Sequence, residues 1–396
     1  MPRSDFGWAT SSGNRRDWLR RVAGAGLAAN SGLVFGRSVR DEDSPEARLI
    51  VRGDRPLNLE TPLEAFDTWL TPVDRFFVRS HFGPPAVTNG PWTVEVGGLV
   101  EKPFELRIDP EQETGPFARS TMHAVLQCAG NGRALFDPVI PGVGWQAGAV
   151  GNGQWTGLLL SDVLQAARVR TGAAHVHFYG ADAPPHPKTP AFVRSLQLDR
   201  ALASTTILAT HQNGEPLSVL HGGPVRLIVP GWTGNHWMKW VRSIVVSDTE
   251  APGFYQRTGY KMPKTPVPPG ETPKPEDLHP VTELNIKSLI TFPSENGQIR
   301  AGEQVIRGVA WTGQATVNAV EVSVDDGLWQ PAELVRNPYF YSWRQWNFAW
   351  RAEPGKHTIR ARAHDDAGNV QPDKTPWNKS GYLWNGIQAL NVEVTS

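Results

Sequence analysis

The chain has 396 residues, 39 Lys plus Arg balanced by 39 Asp plus Glu, a single cysteine and 16 tryptophans. Zero net charge supplies no global pull toward nucleic acid, one cysteine excludes an internal disulfide or a thiolate-built structural zinc site, and no apolar run reaches the about 18 to 20 residues of a membrane span. The length favours two domains over one core.

Residues 1–40 read as an address. Arg15-Arg16, within Asn14-Arg15-Arg16-Asp17-Trp18-Leu19-Arg20, precede the mild apolar run Val22 to Ala29, which resembles a twin-arginine export signal followed by a flexible arm. That reading implies export of the folded chain and a periplasmic location.

Residues 50–250 have a mixed α/β pattern. Trp92 to Val96 and Phe104 to Ile108 alternate like short strands around a Gly97-Gly98 turn. Leu160 to Arg168 reads as a helix, and Asp199 to Ala203 as a shorter one. His175 to Tyr179, Thr206 to Thr210, Val225 to Val229 and Trp240 to Val246 read as strands, the last two apolar enough for burial. Residues 251–280 are dense in proline, which ends regular structure and predicts a semi-rigid connection. In 281–396, Ile286 to Ile290, Gln304 to Ala310, Val317 to Val324, Gln345 to Trp350 and His357 to Ala363 are short strands separated by turn signals such as Asp325-Asp326-Gly327. The fold class expected is therefore α+β: a mixed α/β domain followed by an immunoglobulin-like β-sandwich.

Cys128 lies in Leu126-Gln127-Cys128-Ala129-Gly130-Asn131-Gly132-Arg133, where an apolar stretch ends in glycines and a cation. The residues alone allow an inert core thiol or one reactive thiolate, acting as nucleophile or metal ligand. The glycines permit close backbone approach, and Arg133 favours a thiolate.

Several separated motifs together resemble the sulfite oxidase family of molybdenum enzymes, from about Leu59 to the C-terminus. They are Phe76-Phe77-Val78-Arg79-Ser80-His81, the Cys128 loop, Trp145-Gln146-Ala147-Gly148-Ala149-Val150-Gly151-Asn152, His221-Gly222-Gly223-Pro224-Val225-Arg226, Val229-Pro230-Gly231, Lys239-Trp240, Gln256-Arg257 with Tyr260-Lys261, Val370-Gln371-Pro372 and Pro376-Trp377-Asn378. The resemblance implies a molybdopterin-binding catalytic domain, one Mo-molybdopterin per chain, Cys128 as the protein's metal ligand, and a C-terminal domain that forms a homodimer. A soft thiolate suits a metal already held by dithiolene sulfur.

By the same resemblance Phe77, Val78, Arg79, Ser80, His81, Asp182, His221, Arg226, Trp237, Met238 and Lys239 line the cofactor. Arg79, Cys128, Arg133, Trp145 and Tyr260 form the catalytic set, with the arginines and Tyr260 orienting an oxyanion. The implied reaction is oxidation of sulfite to sulfate by oxygen-atom transfer. A single cysteine excludes a Cys-x-x-Cys-His haem and cysteine-ligated iron–sulfur clusters on this chain, and no His-Pro-Gly-Gly haem-domain segment is present. The expected electron acceptor is therefore external, a separate protein such as a c-type cytochrome, or else dioxygen.

One departure stands out. Sulfite-oxidising relatives commonly carry another arginine after the C-terminal Trp-Asn, whereas Trp377-Asn378 is followed here by Lys379-Ser380-Gly381, with Ser380 at that position. That leaves sulfane sulfur or another oxyanion such as nitrate as alternative substrates. A cysteine-nucleophile enzyme using His81 or His221, or a non-catalytic binding module on the β-sandwich, are the readings from other classes.

Overall fold

The structure is a computed structural model that describes residues 49–87, 90–109 and 117–396; the expected export signal lies outside the described residues. Alternation makes Trp92–Gly98 a strand, burying Trp92, Val94 and Val96 on one face. It belongs to a five-stranded sheet ordered Phe104–Ile108, Trp92–Gly98, Val241–Ser247, His175–Gly180, Val193–Gln197. Pairing there is antiparallel except between Trp92–Gly98 and Val241–Ser247. Gly97 and Gly98 are not the turn expected from sequence: they pair with Val245 and Val246. A Cβ at Gly98, whose φ is +86°, would stand 2.1 Å from the Val246 carbonyl oxygen, so this pairing demands glycine.

A second antiparallel sheet joins Arg119–Gln127, Val150–Leu159 and Ile207–Gln212, with the short strands Glu215–Pro216 and Arg226–Ile228 on the last. Helix Leu160–Ala167 buries Leu160, Val163, Leu164 and Ala167, the spacing of one helical face. It ends where Arg168 takes a left-handed conformation (φ 55°) and its N–H caps the Gln165 carbonyl. The second expected helix is the single turn Leu198–Ala201. The proline-rich stretch is more ordered than composition suggests: it holds helix Phe254–Arg257 and a Lys261–Pro263/Leu278–Pro280 strand pair.

The C-terminal strands form two facing sheets. One is ordered Lys287–Phe292, Gly302–Trp311, Arg344–Ala352, Glu333–Leu334; the other Gly297–Arg300, Ala389–Thr395, Gly355–Asp365, Val317–Val324, Gln330–Pro331. Ile306, Ala310 and Trp346 from the first pack against Val320, Val322, Ile359 and Val392 from the second, the core of a β-sandwich. A further cluster sets Phe66, Val125, Ala147 and Val150 against Leu284, Leu289, Val309, Trp311 and Trp343. It lies behind the segments that carry the chemistry, and residues 47–396 form one compact unit. No helix among the described residues is long and apolar enough to cross a membrane.

Candidate active site

Strand Arg119–Gln127 becomes fully buried over its last four residues and delivers Cys128 to a turn. The Cys128 N–H donates to the Ala149 carbonyl (2.9 Å), and the Cys128 carbonyl accepts from Asn131 N–H (2.9 Å). Asn131 Oδ1 accepts from Ala149 N–H at 3.1 Å, locking the loop to the next strand. On one side Trp311 Nε1 donates to Gln127 Oε1 (2.8 Å). On the other, Gly132 (φ +84°) leaves no room for a Cβ, which would meet Trp384 at 2.8 Å. Glu60, 1% exposed, accepts from Gly148 N–H (2.7 Å), Gln146 N–H (3.1 Å) and Arg52, and so fixes the segment that carries Trp145.

Two cavities meet at Cys128. The inner one is lined by Phe77, Arg79, Ser80, His81, Cys128, Asp182, His221, Arg226, Trp237, Met238, Lys239 and Tyr260. Val78, expected in this set, does not line it: it is buried and bridges Leu59 through two 2.9 Å backbone hydrogen bonds. An extended backbone alternates its side chains, so the residue between Phe77 and Arg79 falls on the opposite side.

The inner cavity is cationic and poor in counter-charge. Arg226 is 6% exposed and donates through Nη1 to the His221 carbonyl (2.8 Å); burial pushes its pKa down to about 9. Lys239 Nζ donates to Ser80 Oγ (2.7 Å) and the Arg79 carbonyl (3.3 Å), and burial first, then Arg226, holds its pKa well below the usual lysine range. His221 donates from Nε2 to the Phe76 carbonyl (3.0 Å) and meets Ser218 Oγ at Nδ1 (2.8 Å). Burial lowers its pKa to about 4, so the ring is neutral at pH 7. Asp182 is raised to about 6, chiefly by burial.

Among the described residues no carboxylate is in ion-pair contact with Arg79, Arg226 or Lys239. Of the described buried donors without a partner, two belong to residues lining this cavity, Arg226 Nε and Asn235 Nδ2. Converging cations with orphaned donors fit an anionic, acceptor-rich ligand, because an unpaired buried polar group is costly. A phosphate-bearing pterin has that chemistry. No group of three or more His, Cys, Asp and Glu among the described residues forms a metal site by itself. A single thiolate would suit a metal whose other ligands come from a dithiolene.

The outer cavity shares Arg79, His81, Cys128 and Tyr260 with the inner one and adds Gly130, Arg133, Trp145, Tyr255 and Tyr382. The five residues expected from sequence to act catalytically thus converge here. Arg133 donates from Nε to the Ser380 carbonyl (3.2 Å) and from Nη1 to the Val143 carbonyl (3.3 Å). Added Cβ atoms on Gly130, Gly142 and Gly381 would each meet its side chain within 3.0 Å. Ser380 contributes no cation, and Lys379, which lines neither cavity, donates to Thr272 Oγ1 (2.9 Å).

Tyr260 adopts φ 52°, an uncommon conformation for a non-glycine residue. Its hydroxyl lies 2.8 Å from His81 Nε2. Burial first, then Arg79 and Arg194, lowers the His81 pKa well below 6.5. Burial raises the Tyr260 pKa. His221 is engaged at both ring nitrogens, which leaves it no free nitrogen to act as a base toward Cys128.

Sequence reasoning missed Glu60, Arg194, Asn235, Tyr255 and Tyr382. Arg194, 1% exposed, holds its guanidinium carbon 5.4 Å from the Tyr260 ring centre and bonds the Tyr255 carbonyl and His236. Asn235, Tyr255 and Tyr382 were signalled only by lying within four residues of motif or site residues; Glu60 and Arg194 come from segments distant from the residues they support.

Residues 81–255 match the oxidoreductase molybdopterin binding domain family and residues 279–394 the Mo-co oxidoreductase dimerisation domain family. The chain is 33% identical over 352 residues to the sulfite oxidase of Gallus gallus, covering 85% of this chain and 76% of that protein. Identity to the mitochondrial sulfite oxidase of Homo sapiens is 33% over 373 residues, with 90% and 67% covered. Nitrate reductase (NADH) 1 of Phaseolus vulgaris is 34% identical over 363 residues, 84% of this chain and 41% of that protein. The chain spans about two-thirds of the length of the mammalian sulfite oxidases. Among solved structures, the sulfane dehydrogenase SoxCD from Paracoccus pantotrophus matches with a TM-score of 0.74 and 27% identity, over 98% of this chain and 94% of that one.

Proposed function

This chain belongs to the sulfite oxidase family of molybdopterin oxidoreductases, and from that premise we propose that it oxidises sulfite to sulfate and passes the electrons to an external c-type cytochrome. The observation that carries the proposal is the position of Cys128 where a cationic cavity for an anionic cofactor meets a second cavity holding Arg79 and Arg133.

His221, Arg226, Lys239 and Asn235 would hold the cofactor's phosphate and ring acceptors, Asp182 would pair with its amino groups, and Cys128 would ligate the metal. Bound there, the cofactor supplies two-electron oxygen-atom transfer. The protein's part is binding and orientation. Arg79 and Arg133 offer forked, charge-assisted hydrogen bonds to an oxyanion, Trp145 closes the cavity wall, and Tyr260 can donate a hydrogen bond. The Tyr260–His81 contact gives a proton held at the phenol oxygen a route to the imidazole.

The dimerisation-domain match supports a homodimer. Arg15-Arg16 before an apolar run supports export to the periplasm, which suits a cytochrome acceptor. Sulfane sulfur is the second reading, favoured by the SoxCD match and by Ser380 in place of a third cation. The test is sulfite-dependent reduction of ferricyanide and cytochrome c by molybdenum-loaded protein. Turnover with both supports the proposal; full molybdenum occupancy without sulfite turnover overturns the substrate.

A further inference from the structure

The outer cavity is lined by two kinds of group. The first is cationic, Arg79 and Arg133. Arg79 uses Nη1 for Asn58 Oδ1 (3.3 Å) and the Ser80 carbonyl, and Arg133 uses Nε and Nη1 for Ser380 and Val143 carbonyls. Among the described residues the remaining N–H groups of both have no protein acceptor, and both side chains line the cavity. The second is aromatic. Tyr382 stacks on Tyr260 with ring centres 5.3 Å apart and planes at 12°, and the Arg133 guanidinium carbon lies 5.5 Å from the Tyr382 ring centre. Tyr255 and Tyr382 are both half-buried and stand on the same cavity.

Sulfite has no apolar part with which to use that wall. Tyrosine rings gain most from burying apolar area and from offset stacking with another ring. We infer that the site also accepts organic sulfinates, R–SO2−, with the sulfinate oxygens on Arg79 and Arg133 and the R group against Tyr382, the residue that selects it. The inference rests on the proposed function, whose chemistry it extends from an inorganic to an organic sulfur oxyanion.

The reaction is balanced as R–SO2− plus water giving R–SO3−, two protons and two electrons. One S–O bond forms at the sulfur lone pair and the C–S bond stays intact. Water supplies the oxygen, the protons leave to solvent, and two equivalents of a one-electron acceptor, ferricyanide in the assay, are reduced.

The experiment uses molybdenum-loaded full-length protein, with benzenesulfinate, methanesulfinate and sulfite assayed on one preparation and the sulfonate identified by mass spectrometry in 18O-water. Benzenesulfinate is expected to give 18O-labelled benzenesulfonate with a KM about tenfold below that of methanesulfinate, the scale on which an apolar pocket discriminates. Tyr382→Ala is expected to lower the benzenesulfinate-to-sulfite ratio of kcat/KM about tenfold, while Tyr382→Phe, which keeps the ring, restores it. Molybdenum content reports whether each variant is intact.

Sulfite turnover without sulfonate from either sulfinate overturns the inference and leaves the proposed function standing. Sulfinate turnover without sulfite turnover does the reverse. A ratio that is unchanged or higher in Tyr382→Ala overturns the role of Tyr382. No turnover of any of the three at full molybdenum occupancy overturns both.

Discussion

Replacing Lys239 by methionine is expected to destabilise the cofactor-loaded protein and not the cofactor-free one. Lys239 Nζ is held by Ser80 Oγ at 2.7 Å and the Arg79 carbonyl at 3.3 Å, beside Arg226 and Arg79, with Asp182 as its one attractive charge. In cofactor-free protein the substitution removes a buried cation that burial disfavours and leaves Ser80 Oγ short of a partner, a loss of about 1 kcal/mol. The two effects offset, so the unfolding midpoint is expected to stay or rise. In loaded protein the ammonium meets an anionic ligand, and losing such a charged hydrogen bond costs about 1.5 to 3 kcal/mol. That is roughly 10- to 150-fold in cofactor affinity, and the same free energy disappears from ligand-linked stability. The assay is thermal unfolding of wild type and Lys239→Met, each from a cofactor-deficient and a cofactor-competent host. Equal destabilisation of both forms would refute the reasoning and make Lys239 a structural lysine.

Lys287, buried with Nζ unpartnered and 4.6 Å from the Trp384 ring centre, has its pKa pushed down to about 7 by burial. A lowered lysine pKa gives a contribution complete above the unfolded value and lost as pH falls toward the folded one. Stability should therefore fall by on the order of 4 kcal/mol from about pH 10 to pH 7, and Lys287→Met should flatten that slope in denaturant titrations. Tyr260→Phe removes the hydroxyl that is hydrogen-bonded to His81 and is expected to lower kcat roughly 100-fold with molybdenum content unchanged; an unaltered kcat counts against its proton role. Gly132→Ala meets Trp384 at 2.8 Å from a φ of +84° and should destabilise by about 2 kcal/mol or more, visible in the unfolding midpoint.

What could be read from the sequence follows from how locally each feature is determined. Arg79, Cys128, His221, Arg226 and Lys239 lie in short motifs, and the fold brings all five to one cavity. Strands Arg119–Gln127 and Val150–Leu159 escaped notice because the first begins polar and the second is broken by glycines. Those glycines are tertiary: a Cβ at Gly157 would sit 2.0 Å from the Leu208 carbonyl oxygen of the paired strand. Glu60 and Arg194 act 86 and 66 positions from Gln146 and Tyr260 in sequence, so no local pattern marks them. Val78 shows the converse limit: a motif names a segment, whereas the backbone bridge to Leu59 decides which of its side chains face the cavity.

The most direct test of the central claim is molybdenum K-edge X-ray absorption on loaded wild type and Cys128→Ser. If Cys128 ligates the metal, the variant should lose one sulfur neighbour from the first shell and its sulfite turnover with it. An unchanged sulfur shell in a variant that still holds molybdenum would contradict the account.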